Sequence, residues 1–266
     1  MSATPSPARG SASQPWSALI VGAGFGGLGM AIALGRAGEQ DVLLLEKGRD
    51  VGGVWRENTY PGAACDIPSH LYSFSFEPNP HWTRAYSPQP EILAYLRHCA
   101  DKYGVRDKIR LGCEVTSAAF DEATALWRVE WRDAAGVACA GHARALVSAV
   151  GVLGRPVVPS LPGLGSFGGP VFHSAQWNHE VDLRGKRVAV IGNGASAIQF
   201  VPELAREAAR VTVFQRTASW IIPRGDRAYS VRERRRLVRW PWLMAAHRAV
   251  IYLTHDARAI GFTRLP

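Results

Sequence analysis

"ALIVGAGFGGLGMAIALGRAGEQDVLLLEK", residues 18–47, is a short apolar run, a glycine-spaced turn, a helix-length segment and a second apolar run. That order is the βαβ unit of a parallel sheet, with a turn of the kind that cradles phosphate. Gly22, Gly24 and Gly27 give the spacing G-x-G-x-x-G. The first glycine permits a tight turn, the second lets the backbone approach a pyrophosphate, and the third lets helix and strand pack closely. The segment "GGLGMAIALGRAG" then has helical spacing, and its N-terminus aims amide donors and the positive end of the helix dipole at the phosphates.

The second apolar run ends in Glu46, at the position where an acid accepts from a ribose hydroxyl. A carboxylate there repels a 2′-phosphate, so this cradle takes an adenosine with an unmodified ribose, as FAD or NAD. A second copy of the design occupies residues 188–216, "VAVIGNGASAIQFVPELAREAARVTVFQR". Gly192, Asn193, Gly194, Ala195, Ser196 and Ala197 give G-x-G-x-x-A, and no acid closes the following strand. Arg216 and Thr217 stand there instead. A guanidinium and a hydroxyl suit the 2′-phosphate of NADPH. The two cradles are therefore expected to hold different dinucleotides.

The rest of the chain fits an α/β protein. Residues 88–103 have helical spacing, "KIRLGCEVTSAAF", "LWRVEWRD" and "ARALVSAVG" read as strands, and turns are expected near Asp121–Glu122 and Ala134–Gly136. Residues 1–15 read as a disordered Ser/Pro/Ala tail, not a secretory signal. The domain expectations are 1–15 tail, 16–153 first dinucleotide domain, 154–182 Gly/Pro-rich linker, and 183–266 second dinucleotide domain. Four scattered cysteines without a C-x-x-C pair argue against a metal site or a disulfide framework and fit a reducing cytoplasm. No apolar run reaches the roughly 20 residues of a membrane span. Residues 224–266 hold ten Arg against three acids, most of the net charge of +9. With no nucleic-acid motif beside it, that charge reads as a solvated helical face or as a surface for further chain.

Two further stretches carry a resemblance. "GRDVGGVWRENTYPGAACDIPSHLYSFSF", residues 48–76, resembles the flavin-side signature of class B flavoprotein monooxygenases through Gly52, Gly53, Val54, Trp55, "YPGAACD" and Tyr72. "FGGPVFHSAQWN", residues 167–178, places Phe167, Gly169, His173 and Trp177 as F-x-G-x-x-x-H-x-x-x-W. This resembles the Baeyer–Villiger monooxygenase fingerprint, with Asn178 where the family usually has Pro or Asp.

The resemblance implies two Rossmann-like domains, both incomplete, because the chain covers only the first half of such an enzyme. It implies FAD in the first, held by Gly22, Gly24, Phe25, Gly26, Gly27, Glu46, Gly53, Val54, Trp55, Asp66, Tyr72 and Val115, the last near adenine. It implies NADPH in the second, held by Ala64, Asp66, Gly192, Asn193, Gly194, Ala195, Ser196, Ala197, Arg216 and Thr217. Asp66 lies near the reactive edges of flavin and nicotinamide in that family, and His173 and Trp177 couple the two domains. The implied reaction is NADPH- and FAD-dependent insertion of one oxygen atom of O2 into a ketone, through a C4a-peroxyflavin, to give an ester or lactone. Oxygenation of N or S, or nucleotide binding without turnover, are the alternatives. The family's active-site arginine falls in the half not covered, so the 266-residue chain alone is expected to be inactive.

Overall fold

The computed structural model describes residues 9–220 and 224–264. They fall into two compact units: residues up to Glu57 with Leu93–Val157, and Asn58–Ile92 with the chain from Val158 onward.

The first unit contains β1 (Trp16–Val21), α1 (Phe25–Arg36), β2 (Val42–Glu46) and α2 (Val54–Glu57). After α3 (Gln89–Lys102), within which the unit boundary falls, come β3 (Ile109–Leu111), β4 (Glu114–Asp121), β5 (Leu126–Arg132) and β6 (Ala138–Ser148). One sheet takes the order β3-β2-β1-β6-β5-β4. The first four of these strands run parallel, and β5 is antiparallel to both β6 and β4. The difference is visible in the residues. β2, Val-Leu-Leu-Leu-Glu, is buried at every position, as a parallel strand covered on both faces must be. α1 buries Gly27, Leu28, Ala31 and Ile32, which recur at helical spacing along one stripe. It stops at Gly38, whose φ of 91° is the left-handed conformation that ends helices. Trp16, Leu19, Leu45, Val129 and Trp131 centre the core on the junction between the parallel and antiparallel halves.

The expected turns form where Asp side chains bond the backbone just ahead of them. Asp121 accepts from Ala123 N–H at 3.0 Å, and Asp133 accepts from Ala135 N–H at 2.9 Å. Of the stretch expected as a tail, residues 1–8 lie outside the described residues. Residues 9–15 form a turn in which the Gly10 carbonyl accepts from His142 N–H at 2.9 Å.

The second unit carries β7 (Arg187–Ile191), α4 (Ala195–Leu204), β8 (Arg210–Phe214), α5 (Val231–Arg239) and α6 (Pro241–Arg264). β7 and β8 pair in parallel, Ile191 opposite Phe214. Its core joins Val190, Ala197, Phe200 and Leu204 to Tyr60 and Ala63. Residues 58–92, which the sequence groups with the first cradle, thus pack with the second. Two contacts explain this. Gln199 of α4 bonds both backbone groups of Ala64, and Ala85 N–H donates to Arg227 O at 2.8 Å while Arg84 pairs with Asp226. α5 opens on a capping box between Ser230 and Glu233. Among the described residues no helix is long and apolar enough to cross a membrane.

α6 is held against residues 70–73 by Arg248, whose Nη1 donates to His70 O at 2.7 Å and Ser73 Oγ at 3.0 Å. Beside it the His70 ring meets His247 at 5.1 Å and Tyr229 at 5.3 Å. Burial, then the neighbouring His247 and Arg248 charges, push the His70 pKa down from 6.5 to about 4. Burial and Arg227 lower His247 as well, against an opposing pull from Glu233. A base whose folded pKa is depressed stays neutral in the fold while the unfolded chain takes up a proton. The stability is whole above pH 6.5 and is lost as pH falls toward 4. Denaturant midpoints are expected to drop between those values by on the order of 3 kcal/mol in unfolding free energy. In a His70→Asn variant most of that slope disappears; an unchanged slope would mean that His70 is charged in the fold.

Candidate functional site

The first cradle is built by backbone proximity. Gly22 has φ of 101°, and its N–H donates to Leu45 O at 2.8 Å, which closes the turn onto β2. A Cβ on Gly27 would lie 1.8 Å from Gly22 O, so only glycine lets α1 start this close to β1. Gly53, with φ of 54°, brings the following loop in, where a Cβ would sit 3.2 Å from Gly24 Cα. Gly52 N–H fixes that approach by donating to Ala23 O at 2.9 Å. No side chain caps α1 and no acid stands in its first turn, which leaves a helix N-terminus suited to an anion.

Glu46 is buried and already holds the turn together. Its oxygens accept from Ala23 N–H at 2.8 Å, Gly48 N–H at 2.7 Å and Arg56 Nη1 at 3.0 Å. A carboxylate has about four acceptor directions, so three protein donors leave room for one ribose hydroxyl. Val54 and Trp55 lie in α2, half-buried, directly after Gly53. Val115 in β4 stands opposite Trp131 and packs partly against the core. Phe25 opens α1, its ring 6.2 Å from that of Tyr95.

The second cradle repeats the turn of the first. Gly192 also has φ of 101°, and its N–H donates to Phe214 O at 2.8 Å. Gly194 occupies the N-cap of α4 in extended conformation, again with no side-chain cap and no acid in the first turn. Ala195, Ser196 and Ala197 form that first turn, with Ala197 buried at the position of the third glycine. Arg216 and Thr217 are exposed immediately after β8. Asn193 donates from Nδ2 to Gln215 Oε1 at 3.0 Å and to Thr217 O at 3.1 Å.

Ala64 is tied to α4 through a contact that sequence reading missed. Gln199 Oε1 accepts from Ala64 N–H at 3.1 Å and from the Tyr60 hydroxyl at 3.1 Å, and its Nε2 donates to Ala64 O at 2.9 Å. Ser196 bonds the same hydroxyl, whose pKa burial raises. The signal was present as a lone polar residue in "AIQFV", one turn beyond the glycine loop. Asp66 itself is exposed, and Tyr72 is half-buried on the following loop. Both belong to the second unit, whereas the other residues expected at FAD belong to the first.

His173 and Trp177 have defined local jobs. His173 Nδ1 accepts from Ala175 N–H at 3.1 Å and so starts a single turn, Ser174–Gln176. That turn delivers Trp177 into an aromatic stack, edge-on to Phe172 at 5.3 Å and tilted on Phe200 of α4 at 5.2 Å.

Two glycine turns, each opening an uncapped helix between parallel strands, define an α/β protein with a pair of Rossmann-like dinucleotide cradles. The chain belongs to the pyridine nucleotide-disulphide oxidoreductase family, whose model matches residues 19–238. It is 50% identical to a Baeyer-Villiger monooxygenase of Pseudomonas aeruginosa over 268 residues, covering 100% of this chain and 49% of that protein. Among solved structures it is similar to cyclohexanone monooxygenase from Rhodococcus sp. Phi1 bound to NADP+, at 38% identity and a TM-score of 0.76 over 84% of this chain and 42% of the other. It is also similar to OTEMO in complex with FAD and NADP, at 36% identity and a TM-score of 0.77 over 84% of this chain and 43% of that one. The chain spans about half the length of the curated relatives it matches.

The glycine geometry is directly testable. Gly27→Ala, with its Cβ at 1.8 Å from a backbone oxygen, is expected to lower stability by about 1–3 kcal/mol and to disturb the cradle. Gly35→Ala in the same helix, whose nearest neighbour is the end of the Gln40 side chain at 3.9 Å, is expected to be neutral or to stabilise by about 0.5–1 kcal/mol. Equal denaturant midpoints for the two variants would refute the close approach.

Proposed function

We propose that the first cradle holds FAD, the second holds NADPH, and the whole protein is a monooxygenase that places one oxygen atom of O2 into a small-molecule ketone to give an ester or lactone. The observation that carries this reading is the contrast at the two strand ends. A buried carboxylate, Glu46, closes the first, and an exposed Arg216–Thr217 pair closes the second. A ribose hydroxyl suits the former and a 2′-phosphate the latter. The resemblance of "FGGPVFHSAQWN" to the Baeyer–Villiger fingerprint, together with the relatives' names, supports the choice of reaction.

The nicotinamide supplies hydride and the flavin supplies redox and oxygen chemistry. Everything else falls to the protein. In this reading the first-turn amides of α1, with Gly22, Gly24 and Gly26, receive one pyrophosphate, and those of α4, with Gly194 to Ala197, receive the other. Glu46 accepts from the flavin-side ribose. Gly53, Val54 and Trp55 bring backbone and a flat ring to the flavin, with Tyr72 and Val115 as further contacts. The Gln199–Ala64 lock positions Asp66, an exposed carboxylate that orients the nicotinamide by hydrogen bonding. His173 and Trp177 couple the two cofactors, since the His173 turn seats Trp177 on α4. The scattered cysteines support a cytoplasmic setting.

The test uses the whole protein with NADPH, O2 and a cyclic ketone or a thioether, with products identified by mass spectrometry. Lactone from the ketone is expected; sulfoxide alone would move the reading to heteroatom oxygenation, and no product from either would reduce it to nucleotide binding. Arg216→Ala is expected to weaken NADPH by about 1.5–3 kcal/mol and to leave NADH nearly unchanged. Equal losses for both coenzymes would remove Arg216 from the site.

A further inference from the structure

The two cradles can be aligned on their own hydrogen bonds. Gly22 N–H donates to Leu45 O and Gly192 N–H donates to Phe214 O, each at 2.8 Å, and both glycines have φ of 101°. The strand registers agree, with Val21 opposite Leu45 and Ile191 opposite Phe214. The next residue in each strand-end pair is therefore equivalent: Gln215 stands where the first cradle has Glu46. The central loop residues are equivalent as well, Asn193 for Ala23. In the first cradle the Ala23 N–H donates to Glu46 Oε2 at 2.8 Å. In the second the Asn193 side chain donates to Gln215 Oε1 at 3.0 Å. The same two positions bond each other in both cradles, by backbone in one and by side chain in the other.

The chemistry differs by one group. A carboxylate can only accept, whereas a carboxamide also donates. Asn193 Nδ2 donates in addition to the backbone oxygen of Thr217 at 3.1 Å. A backbone carbonyl only accepts, so this bond fixes which end of the Asn193 amide is NH2, and hence which end of Gln215 is oxygen. The oxygen of Gln215 is turned to Asn193, and the end not held by Asn193 is Nε2, a two-proton donor. Gln215 is exposed, next to Arg216.

We propose that Gln215, oriented by Asn193, is a specificity-determining residue of the second cradle and meets a nucleotide 2′-phosphate with its amide NH2. Arg216 supplies the charge. Gln215 adds to the discrimination, because it occupies the position from which an acid would expel the phosphate. Asn193 is a positioning residue that ties Gln215 and Thr217 to the glycine turn. This inference rests on the reading that the second cradle takes NADPH.

The experiment measures binding of 2′,5′-ADP and 5′-AMP by calorimetry to the chain saturated with FAD, which keeps the adenosine probes out of the first cradle. The wild type is expected to prefer 2′,5′-ADP. Gln215→Glu is expected to reduce the ratio of the two affinities by about tenfold or more, the loss of one charge-assisted bond and its replacement by repulsion. Gln215→Leu, which lacks both charge and donor, is expected to fall between, and Asn193→Ala to weaken 2′,5′-ADP more than 5′-AMP. Thermal midpoints identify folded variants, and the Leu variant decides if the Glu variant does not fold. A ratio unchanged in a folded Gln215 variant, while Arg216→Ala abolishes it, overturns this inference alone. A wild type that does not distinguish the two nucleotides overturns the NADPH reading and this inference with it.

Discussion

The oxygen of Gly22 lies where a side chain at position 27 would have to be. That contact sets the start of α1 against the end of β1. It points a helix N-terminus without cap or acid at the space beyond the sheet, where an anion gains from both the amide donors and the dipole. Gly24 and Gly53 then approach each other because neither has a side chain. The strand-end carboxylate closes the arrangement from below by binding Ala23 and Gly48. Each part follows from how little space the glycines take up, and the second cradle reproduces the turn with the same torsion at Gly192.

In the second unit, stability and site are shared by the same side chains. Gln199 of α4 satisfies both backbone groups of Ala64, and Tyr60 joins it through its hydroxyl. A half-buried amide with its partners in place rigidifies what it touches. Trp177 reaches Phe200, one residue further along α4, so the fingerprint segment and the loop bearing Asp66 converge on a single helix. Arg224 lies 5.3 Å over the Tyr86 ring and donates to Cys65 O at 3.5 Å, which brings part of the Arg-rich stretch to the same loop. The charge that reads in the sequence as a solvated face is thus partly spent on internal contacts.

Much of this was legible before the structure. Glycine spacing and apolar runs place β1, α1, β2, β7, α4 and β8, and the 88–103 helix is α3, Gln89–Lys102. These signals are local: period, turn residues and propensity. The grouping of residues 58–92 was not legible, because it depends on bonds from Ala64 to Gln199 and from Arg84 to Asp226, spanning 135 and 142 residues of chain. The job of His173 was hidden for a different reason. Its Nδ1 caps a single turn, a geometric role that histidine does not advertise in sequence. Glu46 was read as a ribose acceptor, and its three protein donors could be seen only once Arg56 and the Gly48 amide were placed.

The central claim is that two like-built cradles in one chain hold different dinucleotides. Hydrogen–deuterium exchange measured with FAD and with NADP+ added separately addresses it most directly. FAD is expected to slow exchange in peptides covering 22–28 and 52–57, and NADP+ in peptides covering 192–198 and 215–217. Protection of the same cradle by both nucleotides, or protection of neither by its assigned partner, would contradict the account.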